Sequence, residues 1–257
     1  MNKLELSLLG RFQVLLNGEL IADFATDSVR ALLAYLALKP GLLHEREHLA
    51  ELLWAEEPRE KSLTSLRATL SRLRTALKDE EDQNGILLVT RQSIGLQQAV
   101  SVWSDLLEIQ TLASQIRTHD HYHVTRCPHC AEQMRQLVEL YQGNVLAGLR
   151  INSSEFDNWQ RQLQEEVHDI LLEALDALTT FFLHRHEFVQ AIRYARRHLA
   201  LETWDERAHR HLMAALHGNG QRSAALAQYK RCASILQAEF GALPSDATQA
   251  LFEAIRQ

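Results

Sequence analysis

The leucines Leu63, Leu66, Leu70, Leu73 and Leu77 recur at spacings of 3, 4, 3 and 4, which lays one apolar stripe along an α-helix. The segment 61–78 that carries them holds five basic side chains and no acidic one. Away from the stripe stand Lys61, Thr64, Ser65, Ala68, Ser71, Arg72 and Thr75, with Arg67, Arg74 and Lys78 along one flank. Small residues on an outer face let a helix axis come close to another surface, and basic residues beside them suit phosphates. A helix that reads DNA in the major groove combines the two. A solvated surface helix presents the same pattern, so the flanking elements have to decide.

Those elements agree with a DNA reader. Leu4, Leu6 and Leu8 alternate, as do Phe12, Val14 and Leu16, and Asn17-Gly18 is a hairpin turn signal before a short return strand, Leu20 to Phe24. A helix capped by Asp27 or Ser28 follows to about Leu38, stopped by Pro40-Gly41. A second helix runs from about Arg46 to Trp54 and the basic helix is the third. After the acidic break 79–85, Ile86 to Thr90 and Ser93 to Leu96 read as a hairpin around Arg91-Gln92. Strands, three helices and a hairpin are the order of a winged helix-turn-helix. The third helix would enter the major groove of double-stranded DNA, with Arg91 and Gln92 at the tip of the wing.

Composition confines any such site. The net charge is −6, so attraction to nucleic acid has to be local and sensitive to salt. The scarcity of glycine (10) and proline (4) favours helices. No stretch has the length of a signal sequence or a membrane span, and three cysteines do not form a disulfide framework, which points to a cytoplasmic protein with no membrane partner.

From about residue 104 the pattern becomes almost continuously helical. A helix near 105–117 and one starting near 131 precede late helices at about 169–183, 187–200, 204–217, 221–239 and 246–256. The stretches around Ala191 and Ala225 repeat in register at 34 residues, the period of tetratricopeptide helix pairs. The expected fold is mainly α: a winged helix-turn-helix over 1–100, then an all-α tetratricopeptide-like domain over 101–257.

Several separated motifs carry a family likeness. Leu8-Leu9-Gly10-Arg11-Phe12, Arg30-Ala31-Leu32-Leu33-Ala34, Leu53-Trp54 and Leu70-Ser71-Arg72-Leu73-Arg74-Thr75-Ala76-Leu77 resemble the OmpR-type winged helix of SARP-type bacterial transcriptional activators. Tyr141-Gln142-Gly143-Asn144-Val145-Leu146-Ala147-Gly148-Leu149 and Glu239-Phe240-Gly241-Ala242-Leu243-Pro244 are similar to the bacterial transcriptional activator domain that follows it in that family. The resemblance implies a regulator that binds promoter repeats, self-associates on DNA and recruits RNA polymerase, with the helix at 60–78 contacting DNA. The wing departs from the family pattern, with Thr90-Arg91-Gln92-Ser93 where an aromatic-rich hairpin is usual. Many relatives carry an ATPase module, whereas this sequence has no Gly-x-x-x-x-Gly-Lys-Ser/Thr, so the chain reads as a stand-alone activator or the N-terminal part of a larger regulator. A helical-repeat module whose winged domain docks protein is the competing reading. No nucleophile–base–acid order or phosphate loop stands out, and an enzyme is not expected.

One cluster lies outside the family pattern. His119, His121, His123, Cys127, His129 and Cys130 fall within twelve positions. Cys127 and Cys130, spaced Cys-x-x-Cys, suit one tetrahedral zinc, completed by imidazoles such as those of His119 and His123 or His121. A polar loop with reduced thiols and a redox pair are the other readings, although no βαβ pattern surrounds the motif. No other cofactor is implied. Trp54, Trp159 and Trp204 read as core, and Cys232 as a small hydrophobe. The histidines scattered over the late helices, among them His198 and His209, read as exposed or capping.

Overall fold

The computed structural model describes residues 2–79, 85–120 and 122–257. Residues 80–84 of the acidic break and His121 lie outside the described residues. The chain forms two compact units, Met1–Thr111 with Leu140–Val167, and Leu112–Glu139 with His168–Gln257.

In the first unit a four-stranded sheet has the order β3-β2-β1-β7. β1 (Lys3–Ser7) and β2 (Gln13–Leu16) pair antiparallel, with Leu6 opposite Val14 and both side chains fully buried. Asn17 and Gly18 both take positive φ, 53° and 84°, which is the backbone a tight hairpin turn into β3 (Glu19–Leu20) demands. β7 (Ser101–Ser104) adds to the other side of β1 in parallel, an element the sequence did not reveal.

Three helices follow the expected order. α1 (Asp27–Ala37) buries Val29, Leu32, Leu33 and Leu36. Its N-cap is Thr26, not Asp27 or Ser28, and no side chain caps it. Asp27 lies one residue inside the helix, where its carboxylate pairs with Arg30 at 3.1 Å and accepts the Arg150 N–H. α2 (Arg46–Trp54) and α3 (Arg59–Leu77) form the helix-turn-helix, joined through Pro58, whose missing N–H costs nothing at a helix start. A second sheet has the order β4-β6-β5. β5 (Leu87–Val89) and β6 (Ser93–Leu96) are the wing, and β4 (Leu43–Glu45), too short to be seen in the sequence, closes its inner edge.

Residues 140–149 fold back onto the residues that follow β1. Leu146 N–H donates to the Leu8 carbonyl at 2.7 Å and Gly10 N–H to the Asn144 carbonyl at 2.9 Å. Gly10 sits at φ +90°, and a Cβ there would lie 3.1 Å from the Gln142 carbonyl oxygen, so only glycine fits without displacement.

The second unit is helical. It takes in parts of α4 (Asp105–Thr118), α5 (Pro128–Leu140) and α6 (Ser154–His184), then α7 (Phe188–Leu201), α8 (Glu206–Gly218), α9 (Arg222–Phe240) and α10 (Asp246–Arg256). The 34-residue register holds in the packing: Ala191 and Ala225 are both fully buried, and so are the pair His198 and Cys232 at the same offset. Three expectations change. α6 begins at Ser154 rather than near 169, because Phe156, Trp159, Leu163 and Val167 continue its apolar stripe. Trp204 is 46% exposed, since it lies in the turn before α8 and not on a helix face. His198 and His209 are buried, not exposed. Among the described residues no helix is long and apolar enough to cross a membrane.

Candidate nucleic-acid interface

α3 divides into the two faces its sequence implies. Leu66, Leu70, Leu73 and Leu77 are buried, joined by Ser62 and Thr69, while Leu63 is half-buried at the edge. Lys61, Thr64, Arg67, Ala68, Ser71, Arg72 and Thr75 are exposed, and Ser65 and Arg74 are half-buried. Lys78 ends the helix in the left-handed conformation at φ 50°, with its side chain exposed. The hydroxyls of Thr64 and Thr75 donate to the carbonyls of Glu60 and Ser71, four residues back, which leaves each threonine methyl and its oxygen lone pairs on the outer face. Glu57 engages two members of the set: its carboxylate pairs with Lys61 at 3.0 Å and accepts from Ser65 Oγ at 3.4 Å.

Beside the helix runs a groove of about 900 Å³, lined by Arg46, Arg67, Ser71, Arg74, Thr75 and Lys78 and floored by β5 of the wing. Among the described lining residues Asp79 is the acid, and its carboxylate is occupied by the backbone N–H groups of Ile86 and Leu87. The described lining thus sets four cations, Arg46, Arg67, Arg74 and Lys78, against one engaged carboxylate. The Arg46 guanidinium registers this: burial, and then the charges of Arg67 and Arg74, hold its pKa below the usual arginine value.

Arg46 is absent from the sequence-derived set. It sits at the first residue of α2, and its Nε and Nη2 donate to the Thr90 carbonyl at 3.2 and 2.9 Å. Its backbone N–H donates to the Gln92 carbonyl at 2.9 Å. One signal was available: a cation at a helix N-terminus opposes the helix dipole and calls for a compensating contact. At the wing tip, Thr90 Oγ1 accepts the N–H groups of Gln92 and Ser93, and Arg91 and Gln92 project exposed.

The histidine and cysteine cluster is partly gathered. His119 Nδ1 lies 3.3 Å from Cys130 Sγ and 3.8 Å from Cys127 Sγ, and the three ligand atoms are all within 4.8 Å of one another. His123 is exposed, with its ring edge-on to Tyr122 at 4.5 Å, and does not join them. The His129 ring lies 4.8 Å from that of His119. N–H groups at the start of α5 draw the Cys127 thiol down, whereas burial and the neighbouring Cys127 push Cys130 up to about 11.

A winged helix with a positive groove, followed by tetratricopeptide-like helix pairs, defines a class of transcription regulators. Residues 25–96 match the C-terminal domain of transcriptional regulatory proteins, and residues 104–256 match the bacterial transcriptional activator domain. The chain belongs to this bacterial transcriptional activator domain family, in the arrangement of the SARP-type regulators. Regulatory protein AfsR of Streptomyces coelicolor is 28% identical over 265 residues, which cover 99% of this chain and 24% of AfsR. The fold matches that of Mycobacterium tuberculosis EmbR, solved in complex with a low affinity phosphopeptide, at a TM-score of 0.71 and 20% identity, covering 100% of this chain and 65% of the other. The chain thus spans less than two thirds of the length of either relative.

Proposed function

We propose that this chain is a sequence-specific, double-stranded DNA-binding activator of transcription that works in the cytoplasm and carries out no catalysis of its own. Residues 1–100 supply the DNA-binding domain and 101–257 the activator domain. α3 enters the major groove, where Thr64, Ser65, Ala68 and Ser71 meet base edges. Lys61, Arg67, Arg72, Arg74, Thr75 and Lys78 hold the flanking phosphates, and Arg91 and Gln92 of the wing meet the neighbouring backbone. On promoter repeats, copies bind side by side, and the helical domain contacts RNA polymerase.

The observation that carries this reading is the outer face of α3, where small side chains alternate with cations and continue into the groove shared with the wing. Small residues let the helix seat deeply, and cations fix its register on phosphates. The test is selection of binding sites from random duplex DNA, followed by titration of the selected site with the Arg67→Ala/Arg72→Ala/Arg74→Ala variant. Affinity should fall for every sequence, and the salt dependence should flatten by about one unit per phosphate contact removed. Unchanged affinity and slope in the triple variant would remove α3 from the interface.

A further inference from the structure

We propose that His119, Cys127 and Cys130 bind one zinc ion, which clips the end of α4 to the start of α5. This inference stands apart from DNA reading, because none of the three residues belongs to the winged helix.

The geometry is that of a ligand set already assembled. A tetrahedral zinc with Zn–S of about 2.3 Å and Zn–N of about 2.0 Å separates a sulfur from a nitrogen ligand by about 3.5 Å and two sulfurs by about 3.8 Å. His119 Nδ1 stands 3.3 and 3.8 Å from the two sulfurs. All three atoms lie within 4.8 Å of one another, so only small side-chain rotations are needed to enclose an ion.

The backbone fixes each donor. His119 follows the last residue of α4, and its N–H donates to the Gln115 carbonyl at 2.9 Å, extending the helical turn. Cys127 directly precedes α5, and its carbonyl accepts the Ala131 N–H at 3.0 Å. The helix start therefore directs its free N–H groups towards a thiolate at this position. Cys130 comes one turn later and is fully buried, with its sulfur 3.3 Å from His119 Nδ1 and within 4.8 Å of the Cys127 sulfur. A disulfide would need only the two cysteines; the third donor converging on both sulfurs is what a metal requires.

The donor chemistry selects the ion. Two sulfurs and one imidazole nitrogen suit zinc and exclude the hard cations calcium and magnesium, which take oxygen ligands. On binding, each thiol gives its proton to water, and two thiolates with a neutral imidazole balance the dication. Cys127 is part-exposed, which leaves the fourth position of the tetrahedron open to water.

The test uses the full chain, purified without a histidine tag or added metal. Mass-spectrometric metal analysis should find about one zinc per chain in the wild type and less than about a tenth in Cys127→Ser or Cys130→Ser. Cys232→Ser, which removes the buried thiol of α9, should keep its zinc. Exchange for cobalt should give thiolate-to-cobalt absorption that Cys130→Ser abolishes. The wild-type measurement stands even if a variant fails to fold. Less than about a tenth of an equivalent of any transition metal in wild type, with no cobalt–thiolate absorption, would overturn the site. A Cys127–Cys130 disulfide in the freshly isolated protein would overturn it equally and identify a redox pair.

Discussion

The Arg46 guanidinium holds the Thr90 carbonyl with two nitrogens, at 3.2 and 2.9 Å, so the first residue of α2 fixes the tip of the wing. The same side chain lines the positive groove beside α3. Arg46→Ala should remove one cation from the groove and release the wing. DNA affinity should fall, the salt slope should flatten by about one unit, and hydrogen exchange at residues 90–93 should speed up. Arg46→Lys should restore the slope but not the protection, because an ammonium cannot reproduce the planar fork. If Arg46→Ala leaves both exchange and binding unaltered, the clasp has no part in DNA recognition.

Ala68 tests how closely α3 approaches its target. The residue is exposed in the middle of the outer face, between Thr64 and Arg72 one turn away on either side. Leucine forms helix nearly as well as alanine, so Ala68→Leu should shift stability by no more than about 0.5 kcal/mol. Its bulk should nevertheless hold the helix away from base edges and lower affinity for the selected site at least about tenfold, or about 1.4 kcal/mol. Titration of that site and a thermal melt separate the two effects. Full affinity with leucine in place would move base reading elsewhere.

The elements legible in the sequence were those with a period or a turn signature. The leucine stripe of α3, the Asn17-Gly18 turn and the 34-residue offset between Ala191 and Ala225 each leave a local mark, and the structure places all three as the spacing implied. What stayed hidden depends on distant pairing. β7 joins β1 in parallel almost a hundred residues along the chain, and its four residues are too few to show alternation. Tyr141 to Leu149 resembles the start of a helical domain, yet its backbone pairs with Leu8 and Gly10, and backbone pairing is blind to side-chain pattern. His198 is a polar residue type, which suggests a surface position, while its neighbours Ala195 and Tyr194 mark a buried face. Of the residues proposed to face DNA, those sharing α3 were accessible to periodicity. Arg46 reaches the groove from another helix and was not.

Asp105 ties the start of α4 to the segment just after β1. Its two carboxylate oxygens accept the N–H groups of Leu8 at 2.8 and 3.0 Å, Leu9 at 3.0 Å and Leu106 at 2.8 Å, and the residue is 5% exposed. Asp105→Asn keeps one acceptor oxygen and aims an N–H₂ at donors, leaving at least one buried N–H unpaired at a cost of about 1–3 kcal/mol. Asp105→Ala should cost more. Denaturant melts of the full chain measure both. A fragment beginning at residue 105 carries this carboxylate without its Leu8 and Leu9 partners, and one beginning at residue 112 does not. If the anchor matters as argued, the shorter fragment should be the better behaved on gel filtration. Wild-type stability in Asp105→Asn would show that water replaces the bond without loss.

Asp205 makes the stability of the second unit depend on acid. It caps α8 by accepting the Ala208 N–H at 2.9 Å, and its other oxygen lies 2.9 Å from Nε2 of the buried His198. The hydrogen bond from His198, assisted by the cap, outweighs burial and holds the carboxyl well below the usual carboxylate range. A carboxylate whose pKa is lower in the folded than in the unfolded chain binds fewer protons when folded. Its contribution is fully present above the unfolded value of about 3.9 and is lost as pH falls through the folded value. Asp205→Asn retains a good capping oxygen but removes the charge. The variant should melt below wild type near neutral pH, and the gap should narrow as pH drops below about 4. Asp205→Ala, which also loses the cap, should lie about 1 kcal/mol lower again at every pH. The check is a series of circular-dichroism melts of the three proteins from neutral pH downward. A gap between wild type and Asp205→Asn that stays constant through the acid range would mean that the hydrogen bond with His198 contributes nothing and that Asp205 serves the helix end alone.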